Sequence, residues 1–551
     1  MSGGENEPEW WAKSARESRS RPLAALAVMF LAMAGVGGYF MFGRNAPVAL
    51  ATSPDAGGLS AVEDPASLLP IAMRRPTPQT DEIFTSKILR FTIALDEAAK
   101  RGAADGDGGA ASTELAAAEE ALRGAEVHGA LGPRASSALE ELMTTAKAAA
   151  RAAPADEASV TAFETATARL DNALVVGGFP YFVDASVIVD EEQGKRLLLL
   201  YEFSILSTSL HASGEARVRS VRLRRLDRLN WSHTLLGFVN PHRSYAVVLL
   251  DQIDEQLVTN VVPALAPEAA MPLLANEAQR EGGPGPTGPE AIAISLRAGK
   301  NVRVEVDELL GTDVAAGREL GEAVRARRTL FEKWNERLRA RGTLKSPARL
   351  ELDVDALEKE VAGAIPKTDL DELRRLQKRL DGPDVRKAYA TLRDVFIASV
   401  ERHEVQHRLD HMRAIPTPKP IDALVPPGQG SGADNVRDHV KSELSAYLAQ
   451  IAREEPLTKT TFTMLLRFLA DPRVRGGVES YAALIATEEL AAELDIKGVA
   501  PLLRDRKLDD ARIEIAHREL TSVPAPALRE AARKVWGRLF AGDLAPLTKL
   551  P

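Results

Sequence analysis

Apolar positions follow two different patterns along this chain, and each pattern predicts a different kind of element. From residue 81 to about 174, and again from about 290 onward, apolar side chains recur every three or four residues, which is the spacing of an amphipathic helix. Between Gly177 and Leu250 they form short runs rich in Val, Ile, Leu, Tyr and Phe, separated by turn residues, which predicts antiparallel strands. The predicted fold class is therefore mainly α with a smaller antiparallel β region (α+β).

The helical spacing also locates individual elements. In the first helical region, helices are expected near 113–125, 135–152 and 157–174, with a break at Gly132-Pro133. In the second region, helices are predicted at 314–341, 355–364, 368–381, 385–413, 435–454, 458–471 and 476–494. Two short strands are also expected there, at Val302–Val306 and Leu350–Val354.

The uncharged run at 22–43 predicts a single transmembrane helix. At about 1.5 Å per residue it extends about 33 Å, which is enough to cross a bilayer core of about 30 Å. Four basic residues precede it, whereas after Arg44 the next basic residue is Arg74. The positive-inside rule then places the amino terminus in the cytoplasm and the bulk of the chain outside it. A cleaved export signal, ending near Ala49-Leu50-Ala51, is the alternative.

Composition narrows the compartment and the class of partner. The bias toward Ala, Arg and Gly is typical of bacteria with GC-rich genomes, so the expected location is the bacterial inner membrane, with the bulk periplasmic. An apolar fraction of 45% and a charged fraction of 27% exclude global disorder. The 70 basic and 78 acidic residues give a formal charge of −8, so no nucleic-acid partner is expected. Because there is no cysteine, any metal site must use His, Asp or Glu.

Segments rich in Pro, Gly, Ala and Ser separate the predicted domains. The predicted organisation is a cytoplasmic tail (1–21), a transmembrane anchor (22–43), a flexible linker (44–80), a helical bundle (81–175), an antiparallel β-rich domain (176–275), a second linker (276–289) and a helical domain (290–551).

The predicted helix at 385–413 contains the motif His403-Glu404-Val405-Gln406-His407, an HExxH. Two histidines four residues apart lie on one face of a helix and can bind one zinc ion, while the glutamate can act as general base toward a water on the metal. The two histidines also continue the apolar stripe of this helix. Because a buried imidazole pair needs a polar partner, this placement favours a metal site.

This helix, and less closely the next one, resembles the zincin metallopeptidases, over about residues 385–455. The resemblance is to gluzincins, in which a Glu on a helix downstream of HExxH completes the zinc site, and it implies Zn²⁺ bound by His403, His407 and Glu443. It implies Glu404 as the catalytic base and makes His439 a candidate to stabilise the oxyanion. The position four residues after the ligand, usually Asp, is Tyr447. Other candidates for the third ligand are Glu479, Glu488, Glu489, His411 and Asp410.

Two functions are therefore expected from the sequence. The first is a membrane-anchored, extracytoplasmic zinc metallopeptidase that hydrolyses a protein or peptide substrate in the cell envelope. The second is a non-enzymatic envelope protein for binding or structure, in which the HExxH is a chance match or a purely structural metal site.

Overall fold

The computed structural model describes residues 74–102, 109–151, 156–190, 195–226, 236–239, 245–267, 269, 289–338, 349–361, 363–425, 431–453, 456–470, 477–504 and 507–550. They divide into an N-terminal unit, 74–251 together with 546–550, and a C-terminal unit, 252–545. The predicted tail and transmembrane anchor lie outside the described residues. Among the described helices, none combines the length and the apolar character that crossing a bilayer would need.

The N-terminal unit combines helices with one sheet. Its helices are α1 (Pro78–Glu82), α2 (Ile88–Gly102), α3 (Gly109–Arg123), α4 (Ala125–Arg151) and α5 (Glu157–Val176). Its strands are β1 (Tyr181–Asp190), β2 (Lys195–Ser213), β3 (Ala216–Arg225), β4 (Gly237–Val239), β5 (Tyr245–Leu249) and, from the chain's end, the last strand, Thr548–Leu550. The predicted break at Gly132-Pro133 is a kink inside α4, where Gly132 has a φ of +75°.

The sheet has the order β1-β2-β3-β5-β4, and the strand Thr548–Leu550 pairs with the far end of β2. Most neighbours are antiparallel, as predicted, but β3 and β5 run parallel, with Arg219 opposite Tyr245. The prediction of an antiparallel β region therefore holds for four of the five strand pairings and is wrong for the pairing of β3 with β5. The physical reason is that β4 and β5 form an antiparallel pair that joins the sheet through β5, which lies alongside β3 in the same direction.

One buried cluster of this unit contains residues from both the helices and the strands. Phe163 and Leu174 of α5 belong to the same buried cluster as Tyr181 of β1 and Leu200 of β2. The ring of Phe84 stacks on that of Tyr181, with 4.2 Å between ring centroids. The segments predicted as a helical bundle and as a β-rich domain therefore share a hydrophobic core.

The C-terminal unit is built almost entirely of helices. After α6 (Leu250–Gln256), which crosses the boundary between the units, they are α7 (Pro289–Leu310), α8 (Val314–Leu338), α9 (Val354–Glu360), α10 (Lys367–Leu380), α11 (Pro383–Arg413), α12 (Lys419–Leu424), α13 (Ser431–Ile451), α14 (Thr458–Ala470), α15 (Val478–Glu493), α16 (Asp510–Ser522) and α17 (Ala525–Phe540). Two-residue strands, β6 (Leu503–Arg504) and β7 (Lys507–Leu508), pair with each other, and the strand Thr548–Leu550 is β8. The broad prediction of a mainly helical protein with a smaller sheet is confirmed.

The strand predicted at Val302–Val306 is wrong, because these residues lie within α7. Valines at every second position imitate the alternation of a strand, but burial follows a four-residue step. Ala298, Val302 and Val306 are buried, whereas Val304 is 47% exposed. This is the pattern of one helical face. The other predicted strand, Leu350–Val354, is also wrong, because its residues precede and begin α9.

Two features of the sequence set the limits of α11. Pro383 occupies the first turn, where its missing N–H costs no helical hydrogen bond. At the other end, Ala414 adopts a left-handed conformation (φ 47°), which ends the helix. Pro416 and Pro418 follow in the sequence and disfavour any continuation. The next long helix, α13, packs against α11, α15 and α17.

Candidate metal centre

The HExxH motif lies in the most enclosed part of α11. Every residue from Ser399 to His407 is buried, so this segment is surrounded on all sides. A helix enclosed in this way normally carries apolar residues around its whole circumference. Here it carries Glu401, Arg402, His403, Glu404, Gln406 and His407. Buried polar groups of this kind are stable only with partners, so their contacts define the site.

The imidazoles of His403 and His407 converge on the carboxylate of Glu443, which α13 supplies. Nε2 of His403 is 3.4 Å from Oε2 of Glu443, and Nε2 of His407 is 3.5 Å from Oε1. The two Nε2 atoms are 3.0 Å apart. Among the described residues, no other group of three His, Asp or Glu side chains is brought together closely enough to hold an ion.

These separations agree with the size of a tetrahedral zinc site. Zn²⁺ binds nitrogen and oxygen ligands at about 2.0–2.2 Å, so two ligands at the tetrahedral angle lie about 3.3 Å apart. The observed distances of 3.0, 3.4 and 3.5 Å bracket that value. The donor set of two neutral imidazoles and one carboxylate also suits zinc and leaves a fourth position open.

A hydroxyl group holds the ring of His407 in place. Its Nδ1 lies 2.6 Å from Oγ of Ser442, the residue before Glu443. When Nδ1–H donates to that oxygen, Nε2 carries a lone pair toward the centre of the site, which is the tautomer that a metal needs. The ring of His403 meets Tyr447 edge-on, with 4.6 Å between centroids. Helix α13 thus provides a carboxylate, a hydroxyl and an aromatic contact in two turns.

Burial and mutual charge shift the pKa values of the two histidines and of two glutamates, Glu443 and Glu404. Burial lowers the pKa of His407 to about 3, so its imidazole is neutral. Burial also lowers the pKa of His403, but the hydrogen bond and charge of Glu443 outweigh it and leave that pKa raised. Burial alone would raise the pKa of Glu443, yet the two histidines hold it below its usual value. Burial raises the pKa of Glu404 to about 8.

Glu404 follows His403 in α11, and its side chain is buried. Its side chain is 5% exposed, and none of the described residues forms a hydrogen bond or ion pair with it. The positive charge of His403 lowers the pKa of Glu404, and the negative charge of Glu443 raises it. A cation bound by the three converging groups would favour the ionised form of Glu404, because opposite charge lowers a carboxyl pKa.

The other predicted residues take different places. His439 is half-buried one turn before Glu443, and its charge lowers the pKa values of His407 and Glu443. It does not belong to the group formed by His403, His407 and Glu443.

The other candidates for the third ligand have different contacts. Asp410 accepts a hydrogen bond from Gln406 at 2.6 Å, and Glu489 pairs with Arg538 at 2.8 Å. Glu488 accepts from the backbone N–H of Leu502, and His411 is exposed. Glu479 lies close enough to Glu443 for that charge to raise its pKa.

Ser442 is the contact that the sequence did not single out. A serine in the middle of a helix carries no signal by itself. Only the register of α13 against α11 shows that its hydroxyl meets His407 rather than water.

Comparison with protein-family models, with curated proteins and with solved structures finds no match to this chain. Its function is therefore argued from the site alone.

Proposed function

We propose that this chain is a zinc-dependent metallopeptidase of gluzincin-like type, with His403, His407 and Glu443 as the metal ligands. The observation that carries the proposal is the spacing of three donor atoms from two helices, 3.0 to 3.5 Å apart, as tetrahedral zinc requires. Among the described residues three donors converge here, whereas a closed structural zinc site would be expected to have a fourth protein ligand.

Each residue has a defined role in this proposal. Zinc, when bound, supplies Lewis acidity that lowers the pKa of water and polarises a peptide carbonyl. Glu404 accepts the proton of the attacking water and delivers it to the leaving amine. His439 is placed one turn from Glu443, where its imidazole would stabilise the negative charge that develops on the carbonyl oxygen. Ser442 keeps the ring of His407 oriented.

The location and the partners belong to the same proposal. Residues 22–43 would anchor the chain in a bacterial inner membrane, with the catalytic helices in the periplasm and a protein or peptide of the envelope as substrate. The alternative is a non-enzymatic envelope protein that keeps the metal for stability. This non-enzymatic protein would have the same three metal ligands as the peptidase, but Glu404 would not act as a general base.

The decisive experiment compares Glu404→Gln with His407→Ala in the full chain. We expect wild-type protein to bind one zinc per chain and to cleave members of a quenched-fluorescent peptide library. Glu404→Gln should keep the zinc and lose cleavage by at least about 100-fold, because it removes the general base. His407→Ala should lose both. Zinc binding without cleavage by the wild type would favour the non-enzymatic alternative. Cleavage that persists in Glu404→Gln would show that Glu404 is not the general base.

A further inference from the structure

A chain of hydrogen bonds between buried side chains connects α17 to the two helices of the candidate metal centre. The indole N–H of Trp536 on α17 donates to the hydroxyl oxygen of Ser445 on α13 at 2.8 Å. The amide of Gln406 on α11 donates to the same oxygen at 3.5 Å and to Oδ1 of Asp410 at 2.6 Å. All four residues are buried, and none of them has a part in the proposed chemistry.

The chain of hydrogen bonds meets each metal-binding helix beside a ligand. Gln406 immediately precedes His407 in α11, and Ser445 follows Glu443 by two residues in α13. Because a helix rises about 1.5 Å per residue, Ser445 lies about 3 Å along the axis from Glu443. A shift of Ser445 along α11 therefore moves the carboxylate of Glu443 relative to the imidazoles by a similar amount.

A metal centre built from two helices requires that their relative position is fixed closely. Metal–ligand distances vary by only about 0.2 Å, much less than the rise of one helical residue. Hydrogen bonds fix such a position because they constrain both a distance and an angle. Nε2 of Gln450 donates to Oγ of Ser399 at 3.0 Å, which is a second polar contact between α13 and α11. The contact at Ser445 is the one that Trp536 supports from α17.

We propose that Trp536 is a positioning residue for the metal centre. Its indole N–H acts through Ser445 to fix α13 along α11, and so sets the distances from Glu443 to the two imidazoles. Trp536 itself touches neither the metal nor the substrate. This inference rests on the metal centre of the proposed function and adds α17 to the helices on which that centre depends.

Trp536→Phe tests this role because it removes the indole N–H and keeps an aromatic ring. In the full chain we expect zinc affinity to fall about tenfold, measured by competition with a chromophoric chelator. The visible absorption of the Co²⁺-substituted protein should also change, because it reports ligand geometry, which a loss of stability alone would not alter. Trp334→Phe is the matched control, since Trp334 on α8 is equally enclosed and its N–H has no hydrogen-bond partner among the described residues. It should bind both metals as wild type does.

A double-mutant cycle tests whether Trp536 acts through Ser445. Ser445→Ala alone should also weaken zinc binding about tenfold, and adding Trp536→Phe to it should cause no further loss. Losses that multiply in the double variant would overturn the proposal, because the two residues would then act independently. Unchanged affinity in Ser445→Ala would overturn it as well, even if Trp536→Phe does not fold.

Urea unfolding of the metal-free protein separates positioning from packing. A Trp536→Phe variant that unfolds at lower urea concentration, yet binds zinc and Co²⁺ as wild type does, would show that Trp536 only stabilises the fold and would overturn its positioning role. Each of these results leaves the metal centre standing. Absence of zinc from the wild type would instead refute the proposed function, and this inference with it.

Discussion

One oxygen of Glu443 lies 3.5 Å from Nε2 of His407, although the two residues belong to different helices, α13 and α11. The other oxygen of the same carboxylate reaches His403 at 3.4 Å. The two imidazoles favour the ionised form of this carboxylate and lower its pKa, while the carboxylate raises the pKa of His403. The same convergence makes Glu443 the residue whose loss should affect a metal most directly.

We therefore expect Glu443→Gln to weaken zinc binding by at least about 100-fold, since even residues that only support a metal ligand cost 10–100-fold when removed. The substituted amide keeps the shape of the side chain but loses the negative charge that favours a cation. Competition with a chromophoric chelator measures the change. Glu489→Gln, with its surface ion pair to Arg538, should bind zinc as wild type does. Unchanged affinity in Glu443→Gln would show that the third ligand is another residue.

Substitution of Ser442 tests whether zinc affinity depends on the orientation of the His407 ring. Removing the hydroxyl in Ser442→Ala leaves Nδ1 of His407 without its partner at 2.6 Å, so the ring can rotate and change tautomer. We expect zinc affinity to fall by about 10–100-fold with the helical content unchanged by circular dichroism. Ser442→Thr retains a hydroxyl at the same position and should restore most of the affinity. Equal loss in both variants would argue that packing, and not the hydrogen bond, is responsible.

The sequence predicted the elements of the site better than their arrangement. Apolar periodicity placed a helix at 385–413, and α11 spans Pro383–Arg413. The four-residue step from His403 to His407 put both rings on one face, and their centroids are 4.6 Å apart. Glu443 and Glu479 could not be distinguished in the same way, because both lie on amphipathic helices. Only the packing of α13 on α11 decides which carboxylate reaches the histidines.

Sequence periodicity also gave wrong predictions where the conformation depends on contacts with distant parts of the chain. The alternating valines at 302–306 satisfy the pattern of a strand, yet a helix buries two of them and exposes the third. The parallel pairing of β3 with β5 has no signature within either strand. It depends on where the β4–β5 pair joins the sheet, and strand periodicity carries no information on that point.

A carboxylate from α7 caps α14 within the C-terminal unit. Glu305 accepts the backbone N–H groups of Lys459 and Thr460, both at 2.7 Å, and the Thr460 hydroxyl at 2.8 Å. These N–H groups belong to the first turn of α14, where no helical carbonyl can accept them. We expect Glu305→Ala to lower the free energy of unfolding by about 2–3 kcal/mol.

Urea unfolding of the metal-free protein, followed by tryptophan fluorescence, measures this loss. Glu308→Ala is the control, since Glu308 is exposed on the same helix and has no ion pair among the described residues. It should change stability by less than about 0.5 kcal/mol. If both variants lose the same amount, the effect belongs to helix α7 itself and not to the cap.

His517 makes the stability of the same unit depend on pH. It is 2% exposed on α16, and neither ring nitrogen has a hydrogen-bond partner among the described residues. Burial, assisted by the charge of Arg297, lowers its pKa from 6.5 to about 4. Between these two values the unfolded chain binds a proton that the folded chain does not. Lowering the pH from 7 to 4 through His517 alone should therefore favour unfolding by about 3 kcal/mol.

His517→Leu isolates this contribution because leucine fills a similar volume and cannot be protonated. We expect the difference in unfolding free energy between variant and wild type to shift in favour of the variant as the pH falls from 7 to 5, and to level off near pH 4. Other titrating groups cancel in that difference when the two proteins are compared at each pH without metal. A difference that stays constant across the range would mean that His517 is protonated equally in the folded and unfolded chains, and that α16 tolerates the charge through a partner such as water.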